Sequence, residues 1–196
     1  MLINFNSSKP LYIVGTGIPA VELKNWILEE YNCDIFLVTR QQLHDLDDNS
    51  QCIPGFANRE YRLALVNDSI CKNYTWVSYI HPSSILNSTA KIGPGTVIQP
   101  MVTIGHEVVI GNFGWIAAYC FVSHGDILGN NVVLSPHVIV AGSTRIGDNV
   151  TIGLSSTICD KISICSDCNF LMTSVITKNI DTPGVYLGNR KSITAS

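Results

Sequence analysis

An apolar residue recurs at every sixth position from Leu86 to Ile176, and this period constrains the fold more than any other feature. The run holds sixteen consecutive positions without an insertion: Leu86, Ile92, Ile98, Ile104, Ile110, Ile116, Val122, Leu128, Leu134, Val140, Ile146, Ile152, Ile158, Ile164, Phe170 and Ile176. Chance alone would give such a run roughly four times in a million, so it marks a structural repeat. A period of six does not fit a helix, but it fits a short strand and a turn that repeat as the sides of a three-sided prism. The repeat therefore predicts a parallel β-helix.

A second column lies four residues after the first and is mostly small, with the members Thr96, Val102, Val108, Gly114, Cys120, Asp126, Val132, Val138, Thr144, Val150 and Ser156. Asp126 is the one ionisable carboxylate in this column. Because Asp126 departs from an otherwise strict repeat, it is a candidate functional residue.

Composition restricts the possible partners. Charged residues make up 14% of the 196-residue chain and the net charge is −3, so no basic stripe is available for nucleic acid. The first ten residues lack the features of a signal peptide, and no apolar run approaches the length of a membrane span. We therefore expect a cytoplasmic protein with neither a nucleic-acid nor a membrane partner.

The seven cysteines include a Cys165-x-x-Cys168 pair. No second pair stands at zinc-site spacing, so we interpret these cysteines as small buried residues, with a metal site or a disulfide as the alternative.

The N-terminal part of the chain has a different pattern. Residues 11–15 read as a buried strand that leads into Gly15-x-Gly17, a helical pattern follows, and residues 34–38 read as the next strand. This order predicts a Rossmann-like unit, in which Gly15 and Gly17 would let backbone N–H groups meet a phosphate. The alternative is a tight turn with no ligand, because Thr39 and Arg40 stand where a nucleotide-binding unit usually has an acid.

We expect residues 41–60 to form a surface loop, because they are polar and contain Pro-Gly. Residues 61–66 and 75–80 read as further strands. These expectations divide the chain into an α/β domain over residues 1–80, a β-helix over 81–180 and a C-terminal tail over 181–196.

Residues 18 apart stack in one column when three hexapeptides make one coil, and His106, His124 and Gly142 form such a column. A histidine can take a proton from an incoming nucleophile, and Asp126 or His106 could orient it. Gly142 could offer a backbone N–H to a developing oxyanion. The alternative is that both histidines are ordinary surface residues at a corner of the prism.

Zinc is the other chemistry that histidines on a β-helix suggest, because one class of β-helical enzymes is a zinc carbonic anhydrase. Those proteins supply a close H-x4-H pair, whereas His106, His124 and His137 are spaced 18 and 13 apart. We therefore predict no metal site.

The hexapeptide run resembles the hexapeptide-repeat acyltransferases, whose parallel β-helix is left-handed. More narrowly, the chain is similar to the NeuD-like sugar acyltransferases, including the nucleotide-amino-sugar N-acetyltransferases of bacillosamine and perosamine glycan pathways. The matching segments are Ile13-Val-Gly-Thr-Gly17, Ile80-His-Pro-Ser-Ser84, Ser123-His124 with Ile127-Leu-Gly129, Ala141-Gly142 with Arg145-Ile-Gly147, and Leu187-Gly-Asn-Arg-Lys191.

The resemblance implies transfer of an acetyl group from acetyl-CoA to the amine of a nucleotide-linked 4-amino sugar, in a ternary complex. His124 matches the base, and Gly142 matches the position against the thioester. The segment Gly188, Asn189, Arg190 and Lys191 matches the one near the adenine and phosphate end of CoA. Gly15 and Gly17 match the nucleotide-sugar turn, with His106 as a further candidate for substrate contact.

The resemblance also implies a homotrimer with the CoA groove between chains. Low charge and off-core apolar residues favour the same state, with Val109, Trp115, Phe121 and Ile139 as the expected subunit contacts.

Some positions depart from the family pattern. Gly125 follows the histidine where an acid is usual, Ala117 replaces a common asparagine, and Val133 replaces a second histidine. Two alternatives therefore stand beside N-acetylation: O-acetylation of a sugar, and a non-catalytic β-helical protein that binds a nucleotide sugar or acts as a scaffold.

Overall fold

A computed structural model describes residues 1–191, except for the side chain of Ile70. Its predominant feature is a set of two-residue strands spaced six residues apart, which form the three sides of a β-helix. Neighbouring strands pair in parallel with an offset of 18 residues, as in Phe121 with Ile139 and Trp115 with Val133. The predicted parallel β-helix and its three-hexapeptide coil are confirmed.

The three sides are a six-stranded, a five-stranded and a nine-stranded sheet. The six-stranded sheet contains Ile85–Leu86, Thr103–Ile104, Phe121–Val122, Ile139–Val140, Thr157–Ile158 and Val175–Ile176. The five-stranded sheet contains Lys91–Ile92, Val109–Ile110, Ile127–Leu128, Arg145–Ile146 and Ser163–Ile164. The nine-stranded sheet contains, in spatial order, Leu2–Ile3, Ser78–Ile80, Val97–Ile98, Trp115–Ile116, Val133–Leu134, Thr151–Ile152, Cys168–Phe170, Gly184–Leu187 and Arg190–Lys191.

The sixth-position residues point into the prism. Those from Ile98 to Ile176 are buried in one core, and Leu86 and Ile92 in the first coil are partly buried. Each fully buried aliphatic side chain stabilises the fold by about 1.5–3 kcal/mol relative to exposure. Nearly every turn places one residue, again at a six-residue spacing, in the left-handed region, for example Glu107 at φ 55° and Ser143 at φ 62°. Gly125 holds this place in the turn that follows His124, at φ +67°.

The N-terminal part forms a parallel four-stranded sheet in the order Ile35–Val38, Leu11–Val14, Gln51–Pro54 and Thr75–Trp76. Its helices are α1, Ile18–Glu30, and α2, Arg59–Val66, with 3-10 helices at Gln41–Asp45 and Ser69–Asn73. The strand-helix-strand order expected over residues 11–38 is confirmed to within a residue at each strand.

Two expectations for the following segment are wrong. Residues 41–60 are not simply a surface loop, because Gln51–Pro54 is a fully buried strand that pairs with Leu11–Val14. Residues 61–66 are helical rather than extended, because Asn58 caps α2 by accepting a hydrogen bond from the Tyr61 amide.

The expected strand over residues 75–80 is divided between two sheets. Thr75–Trp76 joins the four-stranded sheet, whereas Ser78–Ile80 pairs in parallel with Val97–Ile98 in the β-helix. The chain thus passes from one sheet to the other at Val77, which is fully buried.

Helix α1 and the four-stranded sheet cover the outer face of the nine-stranded sheet. Val97, Trp115 and Val133 pack there with Leu23 and Ile27. Trp115 was expected at a subunit contact, but it is buried inside the chain, since only 3% of its surface is exposed.

The other two outer faces remain open within a single chain. Phe121 and Ile139 are 43% and 46% exposed, and Val109 is half-buried. The prediction that these residues contact sister subunits stays a prediction.

Arg62 on α2 joins the two parts of the chain. Its guanidinium is buried, donates to the carbonyls of Phe56 and Phe113, and lies over the Trp115 ring at 5.7 Å. Burial lowers its pKa to about 9.

Candidate active site

His124 lies at the corner between the six-stranded and five-stranded sheets, in the turn that joins Phe121–Val122 to Ile127–Leu128. The stacked coils hold this turn through its backbone: Gly125 N–H donates to the His106 carbonyl, and Ser143 N–H donates to the His124 carbonyl. The structure therefore brings His106, His124 and Gly142 into the expected column.

The imidazole of His124 lies directly over Gly142. A Cβ at residue 142 would stand 2.7 Å from both Cε1 and Nε2 of His124, which is closer than nonbonded atoms tolerate. Only glycine leaves room for the ring in this position. Glycine at position 142 is therefore needed for a steric reason, to leave space for the His124 ring.

The side chain of His124 has one polar contact in the described part of the chain, between its Nδ1 and Ser123 Oγ at 3.2 Å. The residue is exposed, and its Nε2 has no hydrogen-bond partner among the described residues. The sequence reasoning did not single out Ser123 as the partner of the histidine, although its place directly before His124 was a usable signal.

His106 is one coil away and is also exposed. Its Nδ1 lies 3.1 Å from Thr89 Oγ1, and its Nε2 lies 3.5 Å from a carboxylate oxygen of Glu107. It shares the column of His124, with no hydrogen bond between the two side chains among the described residues.

Asp126 points away from His124. Its side chain is fully buried inside the β-helix, where Oδ1 accepts the Thr144 N–H at 2.8 Å and Oδ2 has no hydrogen-bond partner among the residues that the structure describes. Burial raises its pKa to about 7, although the backbone N–H groups of Thr144 and Ser123 act in the opposite direction. A direct hydrogen bond from Asp126 that orients His124, as the sequence reasoning considered, is not formed.

Gly15 and Gly17 line a cavity of about 390 Å³ at the carboxyl ends of Leu11–Val14 and Ile35–Val38. Gly15 has φ +132°, and a Cβ there would lie 3.0 Å from Phe56. Gly17 is the N-cap of α1 and offers no side-chain cap, so the N-terminal end of the helix faces the cavity with its positive dipole.

Residues from other elements complete the cavity. Thr39 and Arg40 follow the second strand, while Gly55, Phe56 and Tyr61 come from the segment that was expected to be a loop and a strand. Their recruitment was missed because it depends on Gln51–Pro54 lying beside Leu11–Val14. No residue that lines this cavity comes from the His124 column, so the two sites are separate within one chain.

The C-terminal motif folds back as a hairpin in which Arg190–Lys191 pairs with Tyr186–Leu187. Gly188 forms its turn at φ +58°, and the side chain of Asn189 accepts the Thr177 N–H at 2.9 Å. Arg190 and Lys191 are exposed. The rest of the predicted tail, residues 192–196, lies outside the described residues.

The described residues contain neither a metal-binding cluster nor a membrane-spanning helix. Within 1–191, no three His, Cys, Asp or Glu side chains are grouped so that they could hold a metal ion. No helix in this range has both the length and the apolar character needed to cross a bilayer.

No protein-family model matches the chain, and no curated protein matches it in sequence. Solved structures do match. The acetyltransferase domain of PglB from Neisseria gonorrhoeae FA1090 superimposes with a TM-score of 0.84 at 20% identity, over 94% of this chain and 98% of that domain. The chain has the same fold as this acetyltransferase domain.

Two further structures extend the likeness along nearly the whole chain. PerB from Caulobacter crescentus, in complex with CoA and GDP-perosamine, matches with a TM-score of 0.83 at 18% identity, over 95% of this chain and 97% of PerB. WeeI from Acinetobacter baumannii AYE matches with a TM-score of 0.74 at 16% identity, over 95% and 100% of the two chains. The resemblance expected from the hexapeptide repeat is thus confirmed for the fold.

Proposed function

We propose that this protein is an acetyl-CoA-dependent acyltransferase that N-acetylates the amino group of a nucleotide-linked 4-amino-deoxy sugar. The observation that carries the proposal is the exposed imidazole of His124 held over Gly142, in a fold shared with the PglB acetyltransferase domain and with PerB. A structure of PerB contains CoA and GDP-perosamine, which is the ligand chemistry proposed for this chain.

His124 is the proposed general base. As the sugar amine attacks the thioester carbonyl, Nε2 of His124 takes a proton from the nitrogen, a C–N bond forms and the C–S bond breaks. The imidazolium then returns the proton to the leaving thiolate of CoA, so atoms and charges balance. The exposed ring, with Nδ1 in contact with Ser123 and Nε2 unpartnered among the described residues, supports this role.

The backbone N–H of Gly142 is the proposed oxyanion donor. In the described part of the chain this N–H donates to no other group, whereas the N–H groups of Ala141 and Ser143 are both engaged. A free donor beside the base can stabilise the charge that develops on the carbonyl oxygen.

The cavity at Gly15 and Gly17 is the proposed nucleotide-sugar site, within an N-terminal Rossmann-like domain. The uncapped N-terminal end of α1 suits a diphosphate. The exposed ring of Tyr61, together with Phe56, offers a surface for the nucleobase.

Because this cavity and His124 are separate within one chain, we propose a homotrimer in which a cavity of one subunit and a His124 of the next form one active site. The exposed Phe121 and Ile139 beside the His124 turn suit such a contact. The C-terminal residues Gly188 to Lys191 would meet the phosphates and adenine of CoA, with Arg190 and Lys191 supplying positive charge. The β-helix would be left-handed, as the family resemblance implies, and the protein cytoplasmic, as expected from the sequence.

The decisive experiment follows free thiol while the protein is mixed with acetyl-CoA and a panel of UDP- and GDP-linked 4-amino sugars. We expect thiol release with at least one amine, and His124→Ala should lower kcat by roughly 10²-fold or more. His137→Asn is the matched control, because His137 stacks on Tyr119 at a different corner of the prism. Thiol release that persists in His124→Ala, or release with no sugar of the panel by the unaltered protein, would contradict the proposal.

A further inference from the structure

Hydroxyl side chains inside the β-helix follow a common hydrogen-bonding rule. Ser78, Ser84, Thr96 and Ser156 each accept the N–H of the residue 18 positions later and donate to the carbonyl 15 positions later. Each of these inner positions therefore needs one acceptor and one donor. The rule links consecutive coils and leaves none of these hydroxyls unpaired.

Asp126 occupies an equivalent inner position. Its Oδ1 accepts the N–H of Thr144, which is 18 positions later, so the acceptor half of the rule is met. The carbonyl 15 positions later belongs to Ala141. An ionised carboxylate could not donate to that carbonyl, and its second oxygen, Oδ2, is buried with no hydrogen-bond partner in the described part of the chain.

The Ala141 carbonyl has a lone pair available for this donor. The Thr144 hydroxyl lies 2.8 Å from the same carbonyl, but it also lies 3.1 Å from the Cys159 carbonyl, 15 positions after Thr144, which is its partner under the rule. A carbonyl oxygen has two lone pairs, so Ala141 can accept from Asp126 whichever carbonyl Thr144 prefers.

We propose that Asp126 is a neutral carboxylic acid whose Oδ2–H donates to the carbonyl of Ala141, and that this bond positions the Ala141–Gly142 peptide against His124. The same peptide carries the Gly142 N–H, so Asp126 acts through it and not on the reacting atoms. Asp126 is thus a positioning residue, and its effect on catalysis rests on the proposed function.

The surroundings of Asp126 favour the neutral form. The residues stacked on it in the preceding and following coils, Val108 and Thr144, carry no charge and are buried. The titratable groups on the adjoining turns and strands are His106, Glu107, His124, Arg145, Asp160 and Lys161, which are exposed, and Cys159, which is partly buried. No charged group contributes to the shift of its pKa to about 7, which burial causes.

The raised pKa of Asp126 makes the stability of the fold decrease as the pH rises. The pKa of Asp126 is raised from 3.8 to about 7, so its contribution to stability is complete below about pH 4 and is lost as the pH rises through about 7. Ordinary surface carboxylates do not give this dependence. Catalysis should show a loss in the same range, because ionisation removes the bond that fixes the Gly142 N–H.

The test compares Asp126→Asn, whose amide can accept from Thr144 and donate to Ala141, with Asp126→Val, which can do neither. The infrared spectrum of the unaltered protein should contain the carbonyl band of a protonated acid at pH 6 and lose it at pH 9. Both variants should lack this band at either pH. The Tm of the unaltered protein should fall by several degrees relative to Asp126→Asn between pH 6 and pH 9. Ser156→Ala, which removes a hydroxyl from an equivalent inner position at a different corner of the prism, should lower Tm equally at both pH values.

Kinetics give the second measurement. The kcat of the unaltered protein should fall above about pH 7, Asp126→Asn should lose this fall, and Asp126→Val should have a kcat about tenfold lower at every pH. Absence of the infrared band at pH 6, or a Tm difference that does not change with pH, would overturn the neutral acid. An alkaline fall in kcat that persists in Asp126→Asn would overturn its positioning role. If no sugar is acetylated at all, the infrared and thermal results still decide the protonation state.

Discussion

Gly142→Ala tests whether the position of the His124 ring matters for activity. The added methyl group would lie 2.7 Å from Cε1 and Nε2 of the imidazole, against the roughly 3.5 Å at which carbon atoms pack. The ring must therefore move by about 0.8 Å or rotate towards solvent. Since a misplacement of about 1 Å can reduce a rate by about 10²-fold, we expect kcat to fall by about 10- to 100-fold.

The fold should tolerate the change. The three atoms nearest to the added Cβ all belong to the exposed ring of His124, which can rotate away at a cost of about 1 kcal/mol. We therefore expect the Tm of Gly142→Ala to change by only a few degrees. Ser143→Ala, at the exposed neighbouring position, is the control and should not lower kcat.

A double-mutant cycle makes the test specific. If Gly142→Ala acts by displacing the imidazole, it should have almost no further effect on thiol release in a His124→Ala background. The reasoning is refuted if Gly142→Ala alone keeps kcat within twofold of the unaltered protein. It is also refuted if the same fold-loss appears in both backgrounds.

Two further predictions concern the cavity at Gly15 and Gly17. Gly55→Ala should destabilise the protein by about 1–3 kcal/mol, measured by urea unfolding, because its Cβ would lie 2.5 Å from Ile13 and 2.7 Å from Ala20, both fully buried. An unchanged unfolding midpoint would show that the packing around Gly55 relaxes freely. Tyr61→Ala should weaken nucleotide-sugar binding by roughly tenfold in calorimetry while Tm stays constant, because the ring lines the cavity yet is 68% exposed. An unchanged affinity would show that the nucleobase does not bind against Tyr61.

The regular part of the fold was predictable because one period determines it. A residue every sixth position must face the same way, so the apolar run alone specifies both the core and the length of a coil. The same arithmetic placed His106, His124 and Gly142 in one column. It could not show that the His124 ring lies against Gly142, because that depends on the rotamer of a single side chain.

The N-terminal part was less predictable because its segments fit two patterns. Tyr61, Leu63 and Leu65 alternate as in a strand, and the Asn58 cap that favours a helix lies outside that run. Gln51 begins a central strand despite its polarity, because its side-chain amide is fully engaged with the backbone at Asn6, Lys9 and Pro10. Such compensation depends on residues about forty positions away and has no local sequence signal.

The hydrogen bonds that recur at equivalent positions of the repeat say more about Asp126 than the six-residue period does. The small-residue column already marked it as unusual, yet its nearness to His124 in sequence suggested a direct contact that the structure does not contain. His124 and Gly125 form the outer part of the turn, whereas Asp126, four residues after the core residue Val122, is at an inner position and faces the interior. The hydroxyls at equivalent inner positions then define what Asp126 must do, which is to accept one N–H and donate to one carbonyl. That carbonyl belongs to the peptide that carries the Gly142 N–H, so an acid hidden in the core can affect chemistry at the surface without touching the substrate.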